Sequence, residues 1–222
     1  MTTFVNLTIL HKRYDPRIFK RIACTLYDLG FGSELWVRDE LKDEIVDGVK
    51  ISSLGGPNSL VLFFNIIVSV YRKRPTFLII HDPILLMMAP FLLLSRTKLI
   101  FDSHEDVPED ILIKPYIPKN FRPLISTLYK AIEVFICRVF VFSVFTPSKN
   151  VSRRMTLWGI SCNLLNNYPT KNIIYAGQKL SEESQPLRVI FLGAMSTSRN
   201  IQFMIDGSKG INGVELVLVG PV

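Results

Sequence analysis

The sequence TFLIIHDP at positions 76–83 and the sequence KLIFDSHE at positions 98–105 decide the fold class of this chain. Each begins with a short apolar run that is typical of a buried strand, and each passes directly into histidine and carboxylate side chains. The two histidines, His81 and His104, therefore lie at predicted strand ends. In an open parallel sheet such ends line one crevice, where ligands bind. We predict a catalytic or ligand-binding site at that edge of the sheet.

The residues around the two histidines also allow plainer interpretations. His81 and Asp82 can simply cap a buried strand, with Asp82 and Pro83 starting a helix. His104 lies inside an acidic run, which does not fit core packing and favours a functional role. The acidic residues of that run are Asp102, Glu105, Asp106, Glu109 and Asp110. A metal site using both histidines would lack any known ligand spacing, so we predict no metal ligand.

Strand and helix patterns alternate along the chain. A predicted strand over 4–10 is followed by Asp15 as a helix N-cap, by Pro16 at the first helical position and by Gly30 at the helix end. Further predicted strands cover 34–37, 49–54, 76–80, 98–101 and 139–145, and further predicted helices cover 59–71, 84–94, 122–138 and 150–158. Alternation of this kind predicts an α/β fold with a doubly wound, Rossmann-like parallel sheet.

Two of the predicted helices are strongly apolar. The helix over 84–94 is apolar all round, so we expect it to be deeply buried or to touch lipid; Asp82 and Pro83 argue against a membrane span that includes it. The helix over 122–138 carries a stripe of apolar residues on one face. These residues are Leu124, Leu128, Ile132, Phe135 and Ile136.

The composition of the chain changes after the predicted helix over 150–158. We predict one domain over 1–165, a polar interdomain linker over 166–186 and a β-α-β unit over 187–222. A parallel sheet of two strands needs further cover on its faces. We therefore expect 187–222 to be the start of an incomplete second Rossmann-like domain, as in a truncated chain or a fragment.

Charge and cysteine usage restrict the partners. The chain of 222 residues has a formal net charge of +7, without the aromatic and basic interleaving that is typical of nucleic-acid binding. An anionic membrane surface suits a basic face beside apolar helices, although a solvated basic face is an equal alternative. Three widely spaced cysteines and the absence of a signal-peptide pattern predict a cytoplasmic location, peripheral to the inner face of the membrane if lipid is bound.

An ordered set of short motifs along the whole chain resembles the bacterial family-4 glycosyltransferases, which have the two-domain GT-B architecture. The motifs are His11 with Asp15-Pro16-Arg17-Ile18, His81-Asp82, Asp102-Ser103-His104-Glu105, Thr146-Pro147-Ser148, Asn167-Tyr168-Pro169, and Leu192-Gly193 through Arg199. The resemblance covers the acceptor-side domain and the opening of the donor-side domain. It implies transfer of a sugar from a nucleotide-sugar to a saccharide or lipid-linked acceptor, with retention of configuration and without a metal or other cofactor.

The resemblance also implies roles for individual residues on the acceptor side. A histidine at the place of His104 lies by the transferring sugar in relatives, so His104 is the candidate catalytic residue. The candidate substrate-binding residues are Asp15, Arg17, His81, Asp82 and Glu105. Arg17 matches a loop where it would meet a phosphate at a helix N-terminus. Simple capping by Asp15 and a surface salt bridge of Arg17 remain the alternative.

On the donor side, Gly193 and Arg199 are the candidate diphosphate-binding residues. A cation there would stabilise the charge of the departing nucleotide diphosphate. The chain departs from the family at Asn200, where many relatives have a lysine, and the paired glutamates that hold the donor are not within the 222 residues.

Three functional hypotheses follow. The first is a glycosyltransferase of surface-polysaccharide assembly, such as capsule, O-antigen or exopolysaccharide, that is inactive alone. The second is an acceptor-binding or membrane-associated subunit that works with a partner chain supplying the donor domain. The third, which we favour least, is a sugar-nucleotide epimerase of the same architecture.

Overall fold

A computed structural model of the chain describes residues 1–56, 58–168, 186–195 and 199–221. The chain divides into two compact units, Met1–Thr170 and Lys171–Val222. Most of the predicted linker, from 169 to 185, lies outside the described residues. The predicted domain limits at 165 and 187 stay predictions.

The first unit is built on one sheet that contains eight strands in the described part of the chain. Its order is β3-β4-β2-β1-β5-β6-β7-β8, and every neighbouring pair is parallel except β3 and β4. The strands are β1 (Thr3–Thr8), β2 (Gly32–Val37), β3 (Glu44–Val46), β4 (Val49–Ser53), β5 (Phe77–Ile80), β6 (Lys98–Asp102), β7 (Ser143–Thr146) and β8 (Cys162–Leu164). The predicted α/β class with a doubly wound parallel sheet is confirmed.

Helices connect the parallel strands and cover the sheet. They are a π-helical segment (Pro16–Ala23) that continues into α1 (Cys24–Asp28), α2 (Ser59–Lys73), a 3-10 segment (Pro83–Ser95), α3 (Val107–Ile113), a short 3-10 turn (Lys119–Phe121), α4 (Arg122–Phe140) and α5 (Lys149–Leu157). Successive residues of β5 point to opposite faces: Leu78 and Ile80 pack with α2 on one face, and Ile79 packs with Ile22 on the other. Both faces of the sheet are therefore covered, as an all-parallel region requires.

The apolar stripe predicted on α4 is only partly in the core. Leu124, Leu128 and Phe135 are exposed, and Ile136 alone of the five stripe residues is buried. The helix instead packs inward through a neighbouring stripe that contains Ser126, Glu133 and Cys137. Periodicity identified the apolar face correctly, but an apolar face indicates the core side only when no other surface competes for it.

The segment after β5 also differs from its prediction. Pro83–Ser95 forms a 3-10 segment rather than an α-helix, with Pro90 inside it. Proline lacks the amide hydrogen that a regular helix needs at that place. Leu85, Met88 and Leu92 are buried, whereas side chains such as Phe91 and Leu94 are exposed. None of the helices in the described part of the chain has both the length and the apolar character needed to cross a bilayer.

The second unit has β9 (Leu187–Leu192), α6 (Ile201–Ser208) and β10 (Val214–Val219) in its described residues. The two strands are parallel neighbours, with Leu187 opposite Val214. The β-α-β pattern predicted after position 187 is present in this unit.

Candidate functional site

The strand order places a topological switch point at β1. This strand pairs with β2 on one side and with β5 on the other, so the connections leave in opposite directions on its two sides. In open α/β sheets the crevice beside such a reversal is where ligands bind. His11 follows β1, His81 follows β5 and His104 follows β6, so all three histidines of the chain lie at this edge.

Asp102 is the buried centre of the arrangement. Arg17 donates to it through both Nε (2.8 Å) and Nη2 (2.5 Å), and Nδ1 of His81 lies 3.0 Å from its Oδ2 atom. Burial alone would raise the pKa of the Asp102 carboxyl, but the hydrogen bonds from Arg17 and His81 outweigh it and hold this pKa well below its usual range. Asp102 is therefore a carboxylate at neutral pH.

His81 is fixed by acceptors on both sides of its ring. Nδ1 faces Asp102, and Nε2 lies 3.2 Å from Oδ1 of Asn6. The amide nitrogen of Asn6 donates to the carbonyl oxygen of Glu34, which sets the orientation of the Asn6 side chain. Carboxylate and amide oxygens accept hydrogen bonds, so each ring nitrogen of His81 faces an acceptor. His81 has no exposed surface.

Asp82 organises the loop that follows β1. Its Oδ2 atom accepts hydrogen bonds from the hydroxyl of Thr8 (3.0 Å) and from the backbone amides of Ile9 (2.5 Å) and Leu10 (3.3 Å). Its Oδ1 atom lies 3.4 Å from Nε2 of His11. Asp82 is completely buried, so it ties the end of β1 to the end of β5 from inside the protein.

His11 and His104 form the part of this cluster that solvent reaches. Their Nε2 atoms are 3.1 Å apart, and their side chains are 25% and 15% exposed. Nδ1 of His104 lies 3.1 Å from the carbonyl oxygen of Asp102. Because a carbonyl only accepts, His104 carries a proton on Nδ1, and its Nε2 accepts when the ring is neutral. The two rings therefore share one hydrogen bond between their Nε2 atoms at the crevice.

Asp15 begins the helical segment that carries Arg17. Its carboxylate accepts hydrogen bonds from the backbone amides of Arg17 (2.8 Å) and Ile18 (3.0 Å), as an N-cap does. The capping alternative is thus observed. The other alternative, a surface salt bridge of Arg17, is not: Arg17 is 7% exposed, and its partner Asp102 is fully buried.

The structure brings Asp15, Arg17, His81, Asp82 and His104 together and leaves Glu105 exposed beside them. Burial favours a positioning role for Arg17, His81 and Asp82 over direct substrate contact, because a solute in the crevice would not reach these side chains. His11 belongs to one of the sequence motifs, but no role was predicted for it. Its place just after a predicted strand, like that of the other two histidines, was the available signal.

The two residues predicted on the donor side are neighbours within the second unit. A Cβ atom at Gly193 would lie 2.8 Å from Nη1 of Arg199. The backbone of Gly193 also blocks any side chain at Gly220, which follows β10 as Gly193 follows β9. Side-chain-free backbone beside a guanidinium is a suitable surface for a phosphate.

An apolar cavity of about 440 Å³ adjoins the loop after β1. Ile9 and Leu10 form part of its wall, and the remainder comes from α2 and the 3-10 segment, including Phe63 and Ile84. Among the described residues that line it, Arg38 is the charged one. Separately, within the described ranges no group of three or more histidine, cysteine, aspartate or glutamate side chains is arranged to hold a metal ion.

Comparison with known proteins gives matches of structure alone. No protein-family profile matches the chain, and no curated protein sequence matches it. A sucrose-phosphate synthase from Thermosynechococcus elongatus superposes with a TM-score of 0.76 and 11% identity, over 99% of this chain and 62% of that one. A putative UDP-N-acetylglucosamine 2-epimerase from Listeria monocytogenes superposes with a TM-score of 0.51 and 8% identity, over 98% and 62%.

At these identities the likeness shows the fold. The chain is an α/β protein with a Rossmann-like, mostly parallel sheet, and it spans 62% of the length of each of these two structures.

Proposed function

We propose that the chain is a glycosyltransferase, similar to family 4 of the GT-B type, that moves a sugar from a nucleotide-sugar to an acceptor. The observation that carries the proposal is the solvent-facing pair of His11 and His104 at the switch point of the sheet, held by buried charged groups. The motif order supports it, and so does a fold shared with a protein named for sucrose-phosphate synthesis.

In this proposal His104 contacts the transferring sugar. Its Nε2 atom accepts a hydrogen bond from a sugar hydroxyl in place of the one from His11, and His11 then holds the proton that the pair had shared. Arg17, His81 and Asp102 form a buried ion network that fixes the carbonyl to which Nδ1 of His104 donates. The buried carboxylate of Asp82, whose Oδ1 atom lies 3.4 Å from Nε2 of His11, positions the His11 ring. Glu105 and Asp15 flank the pair and are proposed to meet hydroxyl groups of the substrate.

The donor contacts are proposed for the second unit. Gly193 and Arg199 would receive the diphosphate of the nucleotide-sugar, because backbone amides and a guanidinium stabilise the charge that develops as the nucleoside diphosphate leaves. The nucleotide-sugar is a co-substrate here, transfer proceeds with retention, and we propose no metal or other cofactor.

A lipid-linked acceptor is favoured by the apolar cavity beside the histidine pair. Ile9 and Leu10 line this cavity and directly precede His11 in the sequence. Their backbone amides donate hydrogen bonds to Asp82. A hydrocarbon chain in the cavity would increase the affinity for the acceptor by burying apolar surface. Arg38, which lines the cavity, suits a phosphate that links lipid to sugar. Such acceptors belong to surface-polysaccharide synthesis, which would place the protein in the cytoplasm at the inner face of the membrane.

Two other functions remain as alternatives. In the first, the chain is the acceptor-binding subunit of a split transferase, and a partner chain supplies donor contacts; co-purification of that partner would establish it. In the second, the chain is an epimerase, which the likeness to a putative UDP-N-acetylglucosamine 2-epimerase favours. Conversion of a nucleotide-sugar without any acceptor would identify an epimerase.

The test is a turnover assay with the purified chain, together with any chain that co-purifies with it. Radiolabelled uridine and guanosine diphosphate sugars are supplied with a bacterial lipid extract, and label transferred to lipid or saccharide is counted. We expect His104→Ala to lose transfer by about 100-fold or more while retaining nucleotide binding by isothermal titration. Glu109→Ala, which changes an exposed acid away from the histidine pair, is the matched control. Unchanged transfer by His104→Ala would remove this residue from the site.

A further inference from the structure

Two further cavities lie along α4 and are lined by none of the three histidines. One cavity, of about 430 Å³, lies among α3, α4 and α5, and the other, of about 620 Å³, continues along α4. They share Thr127, Lys130 and Trp158 as lining residues, so they form one continuous surface, here called the α4 groove. None of these residues belongs to the site proposed for sugar transfer.

One half of the α4 groove is cationic. Lys130, Arg153 and Arg154 line it. Nζ of Lys130 and Cζ of Arg154 lie 4.2 Å and 4.3 Å from the ring centroid of Trp158, so one indole holds two positive charges beside the same cavity. The hydroxyl of Thr127 and the amide of Asn150 also line this wall, whereas the hydroxyl of Ser126 donates to the carbonyl oxygen of Pro108. Such a set of donors suits an anion with several oxygen atoms.

The guanidinium nitrogens of Arg154 are buried beneath the cavity wall, beside two carboxyl groups. Its Nη2 atom is 3.3 Å from Asp106 and its Nη1 atom is 3.5 Å from Glu133, but within the described residues its guanidinium nitrogens make no hydrogen bond. Burial raises the pKa of Glu133 to about 7, so its charge is incomplete at neutral pH. Glu109 also lines the cavity, against three cations.

The other half of the α4 groove is apolar. Its wall is formed by Ala131, Val134, Phe135 and Val139, with Arg138 at the side. The exposed stripe of α4, which includes Leu124 and Leu128, continues this apolar surface along the same helix. A cationic pocket that opens into an apolar trough has the polarity of an anionic amphiphile.

We propose that the α4 groove binds an anionic phospholipid of a membrane surface, with the phosphate held by Lys130 and Arg153 above the buried charge of Arg154 and a hydrocarbon chain along Val134, Phe135 and Val139. The exposed stripe of α4 would then rest at the boundary between headgroups and chains. Lipid binding at the α4 groove can be measured without turnover, so its test does not depend on the proposed sugar transfer.

The first experiment measures binding of the full chain to vesicles. Vesicles of phosphatidylcholine that contain phosphatidylglycerol are compared with vesicles of phosphatidylcholine alone, and binding is followed by sedimentation. We expect Lys130→Ala combined with Arg153→Ala to weaken binding to the anionic vesicles roughly thirtyfold, because each basic residue near such a surface is worth about a factor of five. Lys50→Ala combined with Arg21→Ala removes the same charge elsewhere and should change affinity much less. Equal losses in the two double variants would overturn the proposal and leave only general attraction by net charge.

A second experiment locates the chain of the lipid. Trp158 is partly exposed, whereas Trp36 is 5% exposed in the core. Phosphatidylglycerol with brominated acyl chains should therefore quench the fluorescence of the wild-type chain and should lose this effect in Trp158→Phe. Phe135→Ser, a change on an exposed side chain, should weaken vesicle binding without lowering the melting temperature.

The same fluorescence distinguishes a lipid from a free anion. Inorganic phosphate should not displace the brominated lipid at concentrations where phosphatidylglycerol vesicles do. Displacement by inorganic phosphate at equal concentration would overturn the proposal by showing that the α4 groove recognises a phosphate anion and not a lipid. Quenching that persists in Trp158→Phe would show that no lipid occupies the α4 groove.

Discussion

Asp102 is a fully buried carboxylate that is paired with Arg17 and His81. Replacing it by asparagine leaves Arg17 buried with no counter-charge and removes an acceptor from His81. Breaking a buried ion pair in this way costs about 3 to 5 kcal/mol, so we expect Asp102→Asn to lower the free energy of unfolding by that amount at pH 7. Urea unfolding measures it, with Glu105→Gln as an exposed control that should change stability by less than about 0.5 kcal/mol.

The same carboxylate predicts a direction with pH. Because the pKa of Asp102 is lower in the folded chain than in the unfolded chain, its contribution is complete above the unfolded value of about 4 and is lost as the pH falls further. The stability difference between wild type and Asp102→Asn should therefore shrink below about pH 4. A difference that stays constant down to pH 3 would contradict the assignment of Asp102 as a buried carboxylate.

Glu133 behaves in the opposite direction. Burial raises the pKa of this carboxyl to about 7, against the lowering effect of Arg154 and with a further raising effect from Asp106. The folded chain keeps a proton that the unfolded chain releases above about pH 4.5, so this group costs stability progressively between pH 4.5 and 7. We expect the stability of Glu133→Gln relative to wild type to rise by up to about 3 kcal/mol from pH 5 to pH 8.

Denaturation by urea at the two pH values checks this expectation. Tyr129, Cys137 and Arg154 also face this region, and burial raises the pKa of the Tyr129 hydroxyl and of the Cys137 thiol away from the range between 5 and 8. Glu109→Gln, which alters an exposed acid on α3, should show no such change with pH. Parallel stability curves for Glu133→Gln and wild type would mean that Glu133 titrates normally.

At the residue scale the sequence was informative about position and uninformative about exposure. His81, Asp82 and Asp102 were placed at strand ends by the apolar runs before them. Their partners were not readable, because the hydrogen bonds that bury them join residues from 21 to 85 positions apart. Those partners decide which side chain faces solvent and which supports it. This is why His11 was passed over while fully buried His81 was expected to touch substrate.

Among the elements, α4 shows how periodicity can mislead. Its most regular apolar stripe is exposed, and Ile136 is its one buried member. We expect Ile136→Ala to cost about 2 to 4 kcal/mol, because it removes buried methyl groups from the core. Leu128→Ala, on the exposed stripe, should cost less than about 1 kcal/mol. Thermal unfolding of the two variants compares them, and equal losses would mean that the stripe is buried after all.

Other elements were predictable because local chemistry determined them. Asp15 and Pro16 fixed the start of the first helical segment, and the apolar runs fixed β5 and β6 to within a residue or two. The short strands β3 and β8 were missed, since three residues give no readable alternation. The predicted strand over 139–145 began too early because α4 continues to Phe140.

For the molecule as a whole, the first unit should fold by itself. Met1–Thr170 contains all eight strands of its sheet and the helices that cover both faces. We expect a chain of residues 1–170 to unfold in one cooperative transition with a far-ultraviolet circular dichroism spectrum typical of an α/β protein. A broad, non-cooperative transition would mean that the unit depends on residues after 170.

The fold class of the whole molecule was accessible from the alternation of strands and helices, since that alternation admits few parallel topologies. The direction in which each connection turns was not written in any single segment. The switch point at β1, and with it the position of the crevice, emerges only when β5 pairs on the far side of the first strand.

That central place of β1 has a consequence for the order of events during synthesis. Of the eight strands of this sheet, β1 is made before the others and lies in the middle, and one of its neighbours, β5, begins about seventy residues later. The hydrogen bonds from Thr8 and Ile9 to Asp82 cannot form until Asp82 has been made. The contact between His11 and His104 forms later still. Contacts so distant along the chain close slowly. One edge of this apolar strand therefore stays unpaired until β5 has been made, about eighty residues into the sequence, and a chaperone would be of most use during that period.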